Sequence, residues 1–341
     1  MTNNQRLFSG SGNTFRTILY FLLFFSICLG LGYPSVSRYT PGPPSLSDAQ
    51  PYAEMTEVGI AAFSNQDHWH RRILVPLLAH PIYQVVNGHI GHRDARFFAL
   101  LIVNALFCAG SATLLMHIGR AIFGDKNVGL ISALLFLLNF NVSNLYLSGL
   151  VDSAETFLVI SVIVSIYYNK WFILPLIGVL GPLSKETFIV YSTLISGGWW
   201  LGRIQKSNYH WSKFFWVAAL ALTSCISLIA LIYILSDRMI SPFSIAHNEL
   251  AIHSISQLLS DAANILTTRS VWYTFIFLLP LSLPCLKEMP RQWVIATLVC
   301  LFGTVCLSLW AGAADNINRP LFTAIGPFLC LTAARTLVRF G

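Results

Sequence analysis

The chain has 341 residues, of which 55% are hydrophobic, 13% aromatic and only 10% charged, and its mean hydropathy is +0.65. A soluble domain carries about 25% charged residues, so this composition excludes an ordinary water-soluble enzyme, and its wealth of apolar side chains excludes a disordered chain. The net charge of +7 then reads as the positive-inside bias of a polytopic membrane protein, with no nucleic-acid partner.

Arg6 and Arg16 precede an apolar run from Ile18 to Leu31. It reads as a signal anchor more than a cleaved leader, because it approaches the length of a span and no A-x-A site follows. Ten candidate spans are 15–32, 96–118, 128–147, 152–168, 171–184, 187–202, 214–235, 271–286, 292–311 and 320–338. The expected fold is therefore all-α: one integral membrane helix bundle over 1–341 with about ten transmembrane helices. The segment 72–87 is also apolar, but it is short and contains Pro76 and Pro81. It reads as an interfacial or re-entrant helix.

With the N-terminus inside and ten crossings, the inner segments collect Arg6, Arg16, Arg120, Lys126, Lys170, Arg203, Lys206, Lys213, Lys287, Arg291, Arg335 and Arg339, with only Asp125 and Glu288 as acids. Both termini are then cytoplasmic. The outer side receives two long segments, 33–95 and 236–270, and most of the carboxylates. The first opens on the stiff turn Thr40–Pro44. Ser47 or Asp48 then offers an N-cap with Pro51 in the first turn, followed by a short surface helix from Tyr52 to Phe63.

Asp48 at an aqueous mouth either caps that helix or accepts a proton from a substrate hydroxyl, and one carboxylate can do both. Tyr52 follows one helical turn later, and Glu54 and Glu57 read as a solvated face. His68 and His70 would bind a metal only with ligands from elsewhere. Arg71 and Arg72 read either as a clamp for a lipid phosphate or as interfacial anchors. Asp152 and Glu155 share a face by their i, i+3 spacing and need a partner or a wet cavity. Lys185 sits in so short a connection that it points either into a cavity or onto Glu186 or Asp152. Asp315 and Arg319 close the outer set. Asn104, His117, Asn139, Asn141 and Asn144 lie within spans and read as interhelical hydrogen-bonding residues. The seven cysteines read as packing residues, since none forms a CxxC pair. Walker A, GxGxxG, HExxH and GxSxG motifs are absent from the sequence.

In chain order, DAQPY (Asp48–Tyr52), HRRILVPLLA (His70–Ala79), GLVDSAE (Gly149–Glu155), LSKETF (Leu183–Phe188) and NRPLF (Asn318–Phe322) resemble the layout of bacterial membrane glycosyltransferases of the GT-C fold. The resemblance covers most of the chain. It implies a polyprenyl-phosphate-linked sugar donor, a glycan, lipid or protein acceptor, and an inverting transfer at the extracytoplasmic face of the bacterial inner membrane. By position Asp48 would be the base. Tyr52, Arg71, Arg72, Asp152, Glu155, Lys185, Glu186 and Arg319 would bind substrate or the lipid phosphate, and a divalent metal is an open alternative. The chain departs from the family in its number of spans, and Ala49 stands where a second acid often follows the first. Competing readings are a transporter or flippase, a non-catalytic membrane subunit, and an outer-face acyl- or glycan-transferase of another fold with His247 or His253 as base.

Overall fold

Apolar runs that leave water must satisfy their backbone groups internally, and helices do so within one segment. In the computed structural model, residues 11–36, 48–62, 68–90, 94–203, 211–236, 255–310 and 317–341 are described, and no strand occurs among them. The helices are α1 (Ser11–Gly32), α2 (Ala49–Val58), α3 (Leu74–Val86), α4 (Ala95–Phe123), α5 (Lys126–Leu137), α6 (Phe140–Asn144), α7 (Asp152–Tyr167), α8 (Leu174–Ser184), α9 (Phe188–Leu201), α10 (Trp211–Ser236), α11 (Ile255–Thr267), α12 (Arg269–Phe275), α13 (Leu278–Ser282), α14 (Arg291–Trp310) and α15 (Asn318–Phe340).

Five of these, α1, α4, α10, α14 and α15, are long and apolar enough to cross a membrane, and the bent pair α5–α6 makes a sixth. The expected spans at 152–168, 171–184 and 187–202 are shorter helices of 16, 11 and 14 residues, α8 being preceded by the 3-10 turn Trp171–Ile173. Sixteen residues rise only about 24 Å, against a hydrocarbon core of about 30 Å. The expected span at 271–286 is divided between α12 and α13. Segment 72–87 forms α3, 13 residues long, which packs on α2 and α4 and is too short to span. The expected surface helix begins earlier and ends earlier than 52–63: it is α2, followed by a 3-10 turn over Gly59–Ala62. Of the expected loop 236–270, residues 237–254 lie outside the described residues, together with His247 and His253, and the rest holds α11 and the start of α12.

Side-chain contacts orient the helices. Thr17, near the start of α1, meets His117 near the end of α4, while Tyr33, just after α1, packs edge-on against Phe98 near the start of α4. These helices are therefore antiparallel. α8 and α10 run parallel, with the Ser227 hydroxyl donating to the Val179 carbonyl at 2.7 Å. α15 starts beside α2 and α7 and ends where Arg335 and Arg339 meet Glu288. Most of α15 is buried, whereas Phe215, Leu222 and Ile226 of α10 and Phe302 of α14 point outward. Such an apolar exterior suits lipid. Of the in-span polar residues, His117, Asn104, Asn139 and Asn141 bond across helices as expected, to Thr17, Ser153, Thr274 and both Thr274 and Asn318 respectively, whereas Asn144 bonds within α6, to the Phe140 carbonyl and the Ser143 hydroxyl. All seven cysteines are free thiols.

The α8–α9 hairpin depends on a close approach. A Cβ on Gly181 would overlap the Phe188 ring, so glycine lets α9 fold back directly after Lys185, Glu186 and Thr187. Gly181→Ala should cost about 1–3 kcal/mol through overpacking, and the smaller ring pocket of Gly181→Ala combined with Phe188→Leu should recover part of it. Thermal unfolding of the detergent-solubilised variants measures both.

Candidate functional site

Five separate stretches of sequence deliver charge to one end of the bundle. Gly149 has a positive φ of 106°, and its Cα lies so near α2 that a Cβ would stand 3.7 Å from the Ala49 Cβ. This turn sets the start of α7 against the start of α2, bringing Asp152 close to Asp48. Both acids of α7, Asp152 and Glu155, lie in its first turn, where the helix dipole favours negative charge. Lys185 follows the last residue of α8 in an extended conformation, where a cation is favoured for the converse reason. Arg319 is the second residue of α15.

Asp152 is the hub. One carboxylate oxygen accepts from Lys185 Nζ at 2.8 Å and the other from Arg319 Nη2 at 2.6 Å. Its side chain is 1% exposed. Lys185 also approaches Glu155 at 3.8 Å, and Glu155 accepts a hydrogen bond from the Thr187 hydroxyl. Arg319 extends its other nitrogen, Nη1, to Asp48 Oδ2 at 3.1 Å. Asp48 thus occupies the N-cap position of α2 without capping it through its side chain. The carboxylate is turned to Arg319 and remains 26% exposed.

A second group adjoins the first through the consecutive residues Lys185 and Glu186. Arg72 grips Glu186 with Nε at 3.1 Å and Nη2 at 2.5 Å, a two-pronged pairing that suits guanidinium geometry. Its Nη1 donates to the Tyr52 hydroxyl at 2.9 Å. Burial pushes the Tyr52 phenol up to about 12 against the opposing pull of Arg72, so it remains protonated at neutral pH. Burial would also raise Glu186, but the charge and hydrogen bonds of Arg72 prevail and hold it at about 2, with the side chain still 34% exposed.

The structure therefore joins Asp48, Tyr52, Arg72, Asp152, Glu155, Lys185, Glu186 and Arg319. The side chain of Arg71, the remaining member of the sequence-derived set, forms no hydrogen bond or ion pair with a described residue, and its Nε is buried without a partner. Asp315 lies outside the described residues. Glu54 is on the exposed face as expected, and Glu57 bonds Arg96. Among the described residues, no group of three or more His, Cys, Asp or Glu side chains is arranged to hold a metal ion.

Neutral members escaped the sequence reading. Thr187 belongs to the motif LSKETF but carries no charge to mark it. Tyr146, Thr156 and Thr323 form a closed triangle of hydroxyls at 3.1 Å beneath the network, and Asn318 anchors the start of α15 to Asn141. Thr323 and Asn318 make these contacts across more than 160 residues, which local sequence patterns do not contain. Compared with known family models, curated proteins and solved structures, the chain matches none.

Two outcomes follow from the geometry. Asp152→Ala leaves Lys185 and Arg319 as uncompensated buried cations and should cost about 3–5 kcal/mol, read as a fall in the thermal midpoint in detergent. Glu186 has a folded pKa of about 2 against an ordinary value of 4.5. Its pairing therefore stabilises the fold fully above pH 4.5, and this contribution is lost as pH falls toward 2. Acid titration of the unfolding midpoint should show wild type losing more stability than Glu186→Gln across that window.

Proposed function

We propose that this chain is a GT-C-like inverting glycosyltransferase, moving a sugar from a polyprenyl-phosphate donor to an acceptor hydroxyl at the extracytoplasmic membrane face. The observation that carries the reading is the convergence of all five ordered motifs on one end of the bundle. The Asp48–Arg319–Asp152–Lys185 chain of ion pairs is its centre. In this reading the protein sits in the bacterial inner membrane, the short helices α7, α8 and α9 and the divided segment α12–α13 bring the six longer spans to ten crossings, and both termini face the cytoplasm. The directions of α1 and α15 support a common side for the termini, since each has its free end away from the charged network.

The chemistry assigns one task to each group. Asp48 is more exposed than the hub Asp152, which suits it to meet an acceptor. Its carboxylate removes the proton from the acceptor hydroxyl. The hydroxyl oxygen attacks the anomeric carbon, and the bond from that carbon to the phosphate oxygen breaks, the electron pair leaving with the polyprenyl phosphate. Arg319 keeps Asp48 ionised and oriented, at some expense in basicity. Arg71 has no carboxylate partner among the described residues, its Nε being buried without one, and in this reading it receives the leaving phosphate. A positioned donor of this kind is worth roughly 3–4 kcal/mol in the transition state. Charges gathered at helix ends also favour this reading over a transporter, whose ionisable groups belong near the midplane.

In proteoliposomes supplied with a polyprenyl-phosphate sugar, Asp48→Asn should abolish transfer of labelled sugar while insertion and monodispersity are retained. Arg71→Gln should lower kcat by about 10²–10³. Undiminished transfer by Asp48→Asn removes this residue from the mechanism.

A further inference from the structure

At the end of the bundle away from the charged network, two cations sit on tryptophan faces with no acid among the described residues to neutralise them. Asn169, in a left-handed conformation with φ 60°, receives the Trp171 indole N–H at 2.7 Å and so fixes that ring. Trp171 packs on Trp199 with ring centroids 5.1 Å apart, and both rings are buried. The Arg203 guanidinium lies 4.6 Å from the Trp199 centroid. Lys213 Nζ lies 5.6 Å from Trp171 and 5.8 Å from Trp199. The two cations therefore share one aromatic platform.

Like charges this close need an anion. None of the described acids supplies it: neither Arg203 nor Lys213 has an ion pair among the described residues, while Glu288 at the same end is taken by Arg335 at 2.7 Å and Arg339 at 2.5 Å. The sequence explains the deficit, since no Asp or Glu occurs between Glu186 and Asp237. The cation–π contacts hold each charge in place through the ring face. They engage the face of the Arg203 guanidinium and not its edge, whose fork of N–H donors suits a phosphate.

Exposed Phe172 and Trp211 flank the pair, at 65% and 63% exposure, as aromatic residues do at the level of lipid headgroups. We propose that Arg203 and Lys213 form a binding site for the phosphate of an anionic phospholipid, on the opposite side of the membrane from the Asp152 network. A zwitterionic choline lipid fits poorly, because its ammonium would meet two cations, and the aromatic faces that would receive it are already occupied. This site stands independently of the proposed glycosyl transfer.

Native mass spectrometry of the full chain, released from mixed micelles containing equal phosphatidylglycerol and phosphatidylcholine, tests the proposal. Wild type should retain phosphatidylglycerol by about 30-fold over phosphatidylcholine, the factor expected for two cations near an anionic surface, and added salt should reduce the preference. The double variant Arg203→Gln/Lys213→Gln should lose it. Arg120→Gln, which removes an exposed cation at the same end, should keep it. Equal retention of the two lipids by wild type overturns the proposal without any variant. An unchanged preference in the double variant, or an equal loss in Arg120→Gln, also overturns it. Displacement of the lipid by equimolar glycerol phosphate would identify a site for free phosphate esters and overturn the assignment to a membrane lipid.

Discussion

The bundle's charged end depends on one carboxylate held between two cations. Asp152 is almost completely withdrawn from solvent, and both of its oxygens are engaged, one by Lys185 and one by Arg319. An ion in such a place is costly unless its partners have satisfactory geometry. The requirement is therefore mutual: α7 must present the acid, α8 must end where the lysine reaches it, and α15 must start where the arginine does. A buried pair broken on one side costs about 3–5 kcal/mol, a large share of the roughly 5–15 kcal/mol by which a folded domain is stable. The ion pairs consequently specify which helix ends belong together, a choice that apolar packing between similar helices leaves poorly determined.

Neutral packing prepares the meeting. Gly149, in a left-handed turn, admits the Phe97 ring of α4 just before α7, and Gly181 admits Phe188 beside α8. The hydroxyl triangle of Tyr146, Thr156 and Thr323 then ties the stretch before α7, α7 itself and α15 together just below the charges. Because every polar atom in that triangle has a partner inside the protein, the helices approach without stranding a donor or acceptor in an apolar interior. The result is a rigid base from which only Asp48 and Glu186 among the networked acids reach appreciably toward solvent.

Much of this was legible in the sequence, for a definite reason. Charges are rare in the chain, so each one near an apolar run is conspicuous, and sidedness grouped Asp48, Asp152, Glu155, Lys185, Glu186 and Arg319 before any coordinates. The i, i+3 spacing placed Asp152 and Glu155 on one face, and the short connection at Lys185 left it little choice but an acidic neighbour. The partner choices were not legible. Whether Asp48 caps α2 or turns to Arg319 depends on a contact across 271 residues, and no local pattern encodes it. Helix lengths were read less well. Hydropathy marks where a segment is apolar, but it does not fix how long its helix is, and α7 and α9 are helices of only 16 and 14 residues, largely buried against their neighbours.

The two ends of the bundle solve the same electrostatic problem differently. At the Asp152 end, four carboxylates face three engaged cations, and Arg71 next to Arg72 brings the formal count level. Among the described residues the charge there is balanced within the protein, and Arg71 is the cation whose Nε has no partner. At the other end the acids are few and already used, and Arg203 and Lys213 rest on indole faces that hold them without neutralising them. Aromatic support is weaker than an ion pair, and it leaves the cations free to bind an anion from outside. A chain with a net charge of +7 thus holds its charge by ion pairs at one end of the bundle and by aromatic faces at the other.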